Sequence, residues 1–213
     1  AIGGVGYIVL GDVAPIPSFA PTPKLFDDNQ IDSFRKLAES IHVYDTKLGV
    51  QIFHPEYDVD AINLMFANGQ QHLVRERLHH DMQHFVNEVS EEKLMGIIDK
   101  MCDCAIRAEK AGVDVIQIHG DRLVGSLCST IMNKRTDKFG GSLANRTRYA
   151  LLLVTALKKA VPNLIIEYKL PVVTPQRGKG GVDEADAPQF AKWLEEAGVH
   201  MIHVAQANHT GHL

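Results

Sequence analysis

Two segments of this chain, EKAGVDVIQIH at 109–119 and EEAGVHMIHVA at 195–205, read almost as copies of one another. In each, a charged helical end is closed by a glycine one residue before a short, β-branched apolar run, which is how a helix hands the chain back to a buried strand. That handover most constrains what the chain can become. Further apolar runs at about 6–10, 48–53 and 164–170 join those at 113–118 and 199–205 to give five strands, with helical periodicity at about 28–42, 90–111, 142–160 and 183–197 between them. Ser90 followed by Glu92 and Lys93 reads as the cap of the second of these helices, and Asp27 and Asp28 as the start of the first. Strands that alternate with helices make parallel sheets, and near-continuous apolar strands mean that both sheet faces are covered. The fold class is therefore α/β.

Within that class the residues that end the strands favour a (β/α)8 barrel, the TIM barrel, over an open doubly wound sheet. Asp12, His54, His119, Lys169 and Gln206 each stand at or just past the C-terminal end of a different run, where barrel enzymes carry their chemistry. No G-x-G-x-x-G follows any strand. About five of eight strands are present, so 1–213 reads as an incomplete barrel, one partial domain cut from a longer chain at both ends. Such a piece presents two unpaired sheet edges and is expected to be unstable unless it associates with its complement or with other chains, as in a homo-oligomer. The long segment 54–90, with helical patches near 59–67 and 72–86, reads as an excursion that walls the mouth of the barrel.

Composition narrows the partners. The net charge of -4 and pI near 6.3 provide no basic field for nucleic acid. No stretch approaches the roughly 20 apolar residues of a membrane span, and AIGGVGYIVL lacks the marks of a signal peptide. Cys102, Cys104 and Cys128 do not make a disulfide framework. A cytoplasmic enzyme acting on a small molecule is the expectation.

The chemistry-bearing residues follow the strand 113–118. His119 would point an imidazole into the mouth of the barrel, where it could donate to an oxyanion, and the bland alternative is a histidine satisfied by backbone. Arg122 offers a fork of donors for a carboxylate or phosphate, against a surface ion pair with Asp121. Lys169, inside an apolar strand, could face an anionic cofactor, form a Schiff base, or pair with Glu167, which strand alternation sends to the same face. Gln51 in VQIFH could serve a planar heterocycle. The run HHDMQH resembles H-E-x-x-H, but Asp81 is a methylene shorter than the glutamate that motif uses, so a packed helix face is the reading and no metal is expected. In KFGGSLANRTR, Gly140 and Gly141 supply a turn and Ser142 a cap.

Together, the run IHG…LCSTIMNKRTDKFGGSLANRTR, the strand VQIFH and the glycine-closed helices resemble the Old Yellow Enzyme and NADH:flavin oxidoreductase family over essentially the whole chain. The resemblance implies a barrel that holds FMN at its strand ends and passes hydride from NAD(P)H to an electron-poor acceptor. It places Gly11 and Gln51 against the flavin, puts Lys169 where the family has an arginine beside the flavin pyrimidine, and makes His119 the donor to the acceptor's carbonyl. It also implies that the first strand and the last two lie outside 1–213. Two departures stand out: Arg122 replaces the second histidine or asparagine of H-x-x-[HN], and the family's proton-donating tyrosine is absent. An anionic acceptor suits the arginine, with Asp121 or solvent delivering the proton. The other readings of the residues are a barrel lyase or aldolase using Lys169 as a Schiff base, and an inactive fragment.

Overall fold

A computed structural model describes residues 1–174 and 178–207. The strands are β1 (Tyr7–Val13), β2 (Lys47–Ile52), β3 (Val115–His119), β4 (Ile165–Val173), β5 (Val182–Asp183) and β6 (Met201–Gln206). The α-helices are α1 (Ile31–His42), α2 (Val59–Ala67), α3 (Val74–Glu88), α4 (Glu91–Lys110), α5 (Arg122–Cys128), α6 (Leu143–Arg146), α7 (Arg148–Ala160) and α8 (Ala187–Ala197). All five expected strands form, and every pairing in the sheet is parallel: β1 to β2, β2 to β3, β3 to β4, and β4 to β6. The two-residue β5, which the apolar pattern did not reveal, adds to the end of β4. Among the described residues this sheet stays open, an incomplete barrel wall, and none of the helices is long and apolar enough to cross a membrane.

Register decides what each face carries. Gln51 lies beside Gln117, Gln117 beside Glu167, and His119 beside Lys169. Because side chains alternate along a strand, the neighbouring positions, Val50, Ile52, Ile116, Ile118, Ile166 and Tyr168, face the other way and are wholly buried. That apolar face meets α1, α4, α7 and α8, whose inward residues include Ala38, Met101, Cys104, Leu153 and Leu194. The barrel side is polar. Tyr7 donates its hydroxyl to Glu167 at 2.5 Å, and Gln51 donates through Nε2 to Oε1 of Gln117.

The helix ends form as the capping residues require. Ser90 Oγ accepts from Lys93 N at 3.1 Å at the start of α4, and Asp58 accepts from Ala61 N at 3.0 Å at the start of α2. Asp27 makes a capping box on the single 3-10 turn that leads into α1. The near-copies at 109–119 and 195–205 end alike: Gly112 at φ 84° and Gly198 at φ 112° occupy the left-handed region that lets each helix turn directly into β3 or β6.

Two boundaries differ from expectation. The stretch after His119, outside every helix that the apolar pattern predicts, is a short helix, α5, because Leu123, Val124, Leu127 and Cys128 recur on one side and are buried. The helix expected over 142–160 is broken at Thr147 into α6 and α7, with Ser142 capping the first through Asn145 N at 3.3 Å as anticipated.

The segment 129–146 fastens loops to the sheet. Asn133 Nδ2 donates to the carbonyls of Leu127 and Phe139 at 2.5 and 2.7 Å. Arg135 donates to Val86 and Val89 carbonyls at 3.0 and 2.8 Å, which ties down the end of α3. Arg146, buried, donates to Cys128 O and pairs with Asp186, each at 3.0 Å. Removing donors from buried carbonyls costs about 1–3 kcal/mol per stranded group. Asn133→Ala in the intact protein is accordingly expected to lower the unfolding free energy by an amount in that range, read as a lower urea midpoint with the slope unchanged. An unaltered midpoint would show that these two bonds carry no stability.

Candidate active site

The C-terminal ends of β1, β2, β3 and β4 converge on His119. The backbone N–H of Asp121 donates to His119 Nδ1 at 3.3 Å. That bond leaves the ring proton on Nε2, which faces Asp12 Oδ1 at 3.4 Å. On the other side Asp121 Oδ2 lies 3.8 Å from His119 Nδ1 and 3.8 Å from Lys169 Nζ. The structure thus brings together three predicted residues, His119, Asp121 and Lys169, and adds Asp12, recognised in the sequence only as a strand-end polar group. The pairing of Lys169 with Glu167 does not form. Both sit on the polar face, but Glu167 is one layer deeper and accepts from Tyr7, while Lys169 reaches forward to Asp121.

His119 is held neutral. Burial, followed by the positive charges of Lys169 and Arg122, pulls its pKa down to about 3. A ring of this kind donates from Nε2 throughout the physiological range without carrying charge, which suits polarising a carbonyl rather than binding an anion by itself. The cationic side chains that act on it are Lys169 and Arg122.

Arg122 opens α5 with φ at 60°, a left-handed conformation rarely taken by a residue with a β-carbon. The turn is held from below. Leu123 N donates to His54 O at 3.2 Å, linking the loop after β2 to the start of α5. A β-carbon on Gly120 would collide with the carbonyl oxygen of Lys169, so the chain between His119 and Asp121 can lie against β4 only as glycine. Glu56 and Tyr57, which follow β2, share this corner. Burial raises the carboxyl pKa of Glu56, with Asp121 adding and Arg122 opposing. Tyr57 is raised by burial and by Glu56, again against Arg122. Sequence reasoning missed both; the signal available was an acid and an aromatic in HPEYD directly after a strand.

His54, though at a strand end, turns away. Its Nδ1 bonds to Pro55 O at 2.8 Å, its ring lies against Phe85, and burial lowers its pKa to about 4. The HHDMQH run is structural as well: Asp81, buried, accepts from Arg77 Nε at 2.7 Å and from Asp58 N at 3.0 Å, while the rings of His80 and His84 lie 4.7 Å apart.

One layer below His119, Gln51 is oriented by Gln117, and a β-carbon built on the exposed Gly11 would stand 3.9 Å from Gln51 Oε1. The absent side chain at Gly11 therefore leaves open the space in front of that amide. A planar heterocycle with donors and acceptors on its edge fits a surface made of a bare glycine, an amide and, farther along the same face, the Lys169 ammonium.

The model of the NADH:flavin oxidoreductase / NADH oxidase family matches residues 3–212. The chain belongs to that FMN-dependent family. It is 57% identical over 215 residues to a bilirubin reductase of Mediterraneibacter gnavus, covering 100% of this chain and 34% of that protein. It is 34% identical over 218 residues to a bilirubin reductase of Clostridium symbiosum, covering 99% of this chain and 58% of that protein. The chain thus spans between about a third and three fifths of the length of these relatives. In fold it is similar to Old Yellow Enzyme from Pichia sp. AKU4542, with a TM-score of 0.62 at 21% identity, over 77% of this chain and 47% of that one.

The two neutral histidines make acid stability a test of the site. An unfolded histidine takes its proton near pH 6.5, whereas His54 and His119 in the folded state resist until about 4 and about 3. Below pH 6.5 the unfolded chain therefore binds more protons, and stability falls until the folded pKa values are reached. Urea midpoints of the intact protein are expected to drop between pH 7 and pH 4.5, and the drop should be smaller in His119→Gln. An identical drop in the variant would mean that His119 titrates normally.

Proposed function

We propose that the protein to which this chain belongs is an FMN-dependent oxidoreductase that takes reducing equivalents from NAD(P)H and reduces a conjugated, electron-poor and anionic small molecule. Bilirubin, a conjugated compound bearing carboxylates, is the leading candidate. The observation that carries the reading is the strand-end group of a neutral, Nε2-protonated His119 with Arg122 and Lys169 beside it, in a chain whose family uses a flavin. The names of its relatives from M. gnavus and C. symbiosum support the choice of acceptor.

When bound, FMN supplies the two-electron step between nicotinamide and acceptor. The rest falls to side chains of this chain. Gly11 would leave room for the ring system, Gln51 would meet its polar edge in the orientation that Gln117 sets, and Lys169 would offer it a positive charge. His119 donates from Nε2 to a carbonyl conjugated with the double bond under reduction, withdrawing charge from it. Arg122 forms a charge-assisted contact with the acceptor's carboxylate and so orients it. Asp121, placed between His119 and Lys169, delivers the proton that balances the hydride, relaying it from solvent water to the acceptor.

The test separates these roles. In full-length, flavin-loaded protein, Arg122→Ala should weaken binding of an anionic acceptor by roughly ten- to a hundredfold, the equivalent of about 1.5–3 kcal/mol, with flavin content unchanged. His119→Ala should impair neutral and anionic acceptors alike. Protein that takes up no flavin would end the reading, and equal losses for neutral and anionic acceptors in Arg122→Ala would remove the role given to the arginine.

A further inference from the structure

Three residues with a β-carbon have positive φ among those described: Asp12 at 51°, Asp45 at 55° and Arg122 at 60°. Asp45 lies in the turn between α1 and β2. The other two flank His119, one from the end of β1 and one from the start of α5. Backbone strain of this sort persists where the surroundings force it, and it gathers at ligand-binding sites. Arg122 already has a role in the reading above. Asp12 has none.

Asp12 sits where β1 slips register between Leu10 and Val13, and this irregularity turns its side chain onto His119. Its Oδ1 stands 3.4 Å from His119 Nε2, longer than a well-formed N–H···O bond. The Asp12 side chain is 36% exposed, so its carboxylate remains reachable from the mouth of the barrel. What the site presents is a donor and an acceptor side by side: Nε2–H, its proton placed by the Asp121 N–H on the far nitrogen, and a carboxylate oxygen. A ligand complementary to that pair offers an acceptor next to a donor, as does a carbonyl with an N–H on the adjacent atom.

We infer that Asp12 is a specificity-determining residue and that the pair Asp12–His119 recognises the cis-amide edge of a lactam or imide in the acceptor. His119 Nε2–H donates to the carbonyl oxygen, and Asp12 accepts from the neighbouring N–H. A lactone or simple enone of the same shape gives His119 its bond but sets an oxygen or carbon against the carboxylate, which then faces a group that cannot donate. Sites built to hydrogen-bond an N–H reject analogues lacking it far better than apolar pockets reject a change of size. This deepens the proposed function and rests on the mouth of the barrel being the acceptor site.

The experiment compares two rings of equal size, an α,β-unsaturated γ-lactam and the matching butenolide, by calorimetric titration of the full-length protein, with flavin content measured on the same preparation. Wild type should bind the lactam about ten- to a hundredfold more tightly, the range for a hydrogen bond to a charged group. Asp12→Gly removes the carboxylate, and glycine tolerates φ near 51°, so folding is kept. In that variant the ratio of the two affinities should fall to about one. Asp12→Asn, whose amide oxygen still accepts, should retain part of the preference. A wild-type ratio of one, or a ratio that survives Asp12→Gly, overturns the inference. A ratio of one in flavin-loaded wild type condemns this inference alone, whereas wild type that takes up no flavin but keeps the ratio condemns the proposed function alone.

Discussion

Everything at the mouth of the barrel depends on the parallel register between β3 and β4. Five consecutive pairs, from Val115 beside Ile165 to His119 beside Lys169, hold the two strands level. The same ladder extends to β2 through Gln51 and Gln117. A slip of one residue would send His119 and Lys169 into the apolar layer under the helices and lift Ile118 and Tyr168 into the site. The cost of burying a lysine and a histidine in that layer, together with the loss of side chains such as Ile116 and Tyr168 from it, makes such a slip prohibitive. Chemistry and core are thus opposite faces of one hydrogen-bonded arrangement.

The polar face is layered. Its deeper layer is closed upon itself, Tyr7 with Glu167 and Gln51 with Gln117, and these bonds satisfy groups that would otherwise be costly inside a barrel. The upper layer is spaced more widely. His119 Nε2 lies 3.4 Å from Asp12, and Asp121 lies 3.8 Å from both His119 Nδ1 and Lys169 Nζ. A lower layer tied by hydrogen bonds thus holds in place an upper layer of charged and polar groups that faces the mouth of the barrel.

How much of this was legible in the sequence follows from the range of each signal. The five strands and most helices were readable because apolar period and capping are local, and both glycine-closed helices end where their glycines say. α5 was not, since Gly125 and Ser126 break up seven residues that only tertiary burial makes helical. Of the site, His119 and Lys169 announced themselves as polar residues ending apolar runs, and Asp121 as the neighbour of Arg122. Their partners did not. That Lys169 reaches Asp121 rather than Glu167, and that Asp12 turns toward His119, depends on cross-strand register and on a bulge, neither of which has a local signature. The most recognisable stretch, NKRTDKFGGSLANR, proves to be a set of ties to backbone carbonyls made by Asn133, Arg135 and Arg146, so its distinctiveness reports architecture more than chemistry.

The left-handed backbone at Arg122 bears on the history of this site. At φ 60° a glycine would sit there without strain, while any residue with a β-carbon holds the conformation at a cost of about 1–3 kcal/mol. Random substitution at this codon should therefore drift toward glycine or asparagine, which are easier on the fold, and away from a long cation. An arginine can persist at such a position only if selection acts on its guanidinium more strongly than stability acts against its backbone. Populations of this gene should accordingly show position 122 as a place where gain of stability and loss of fitness arrive in the same mutation.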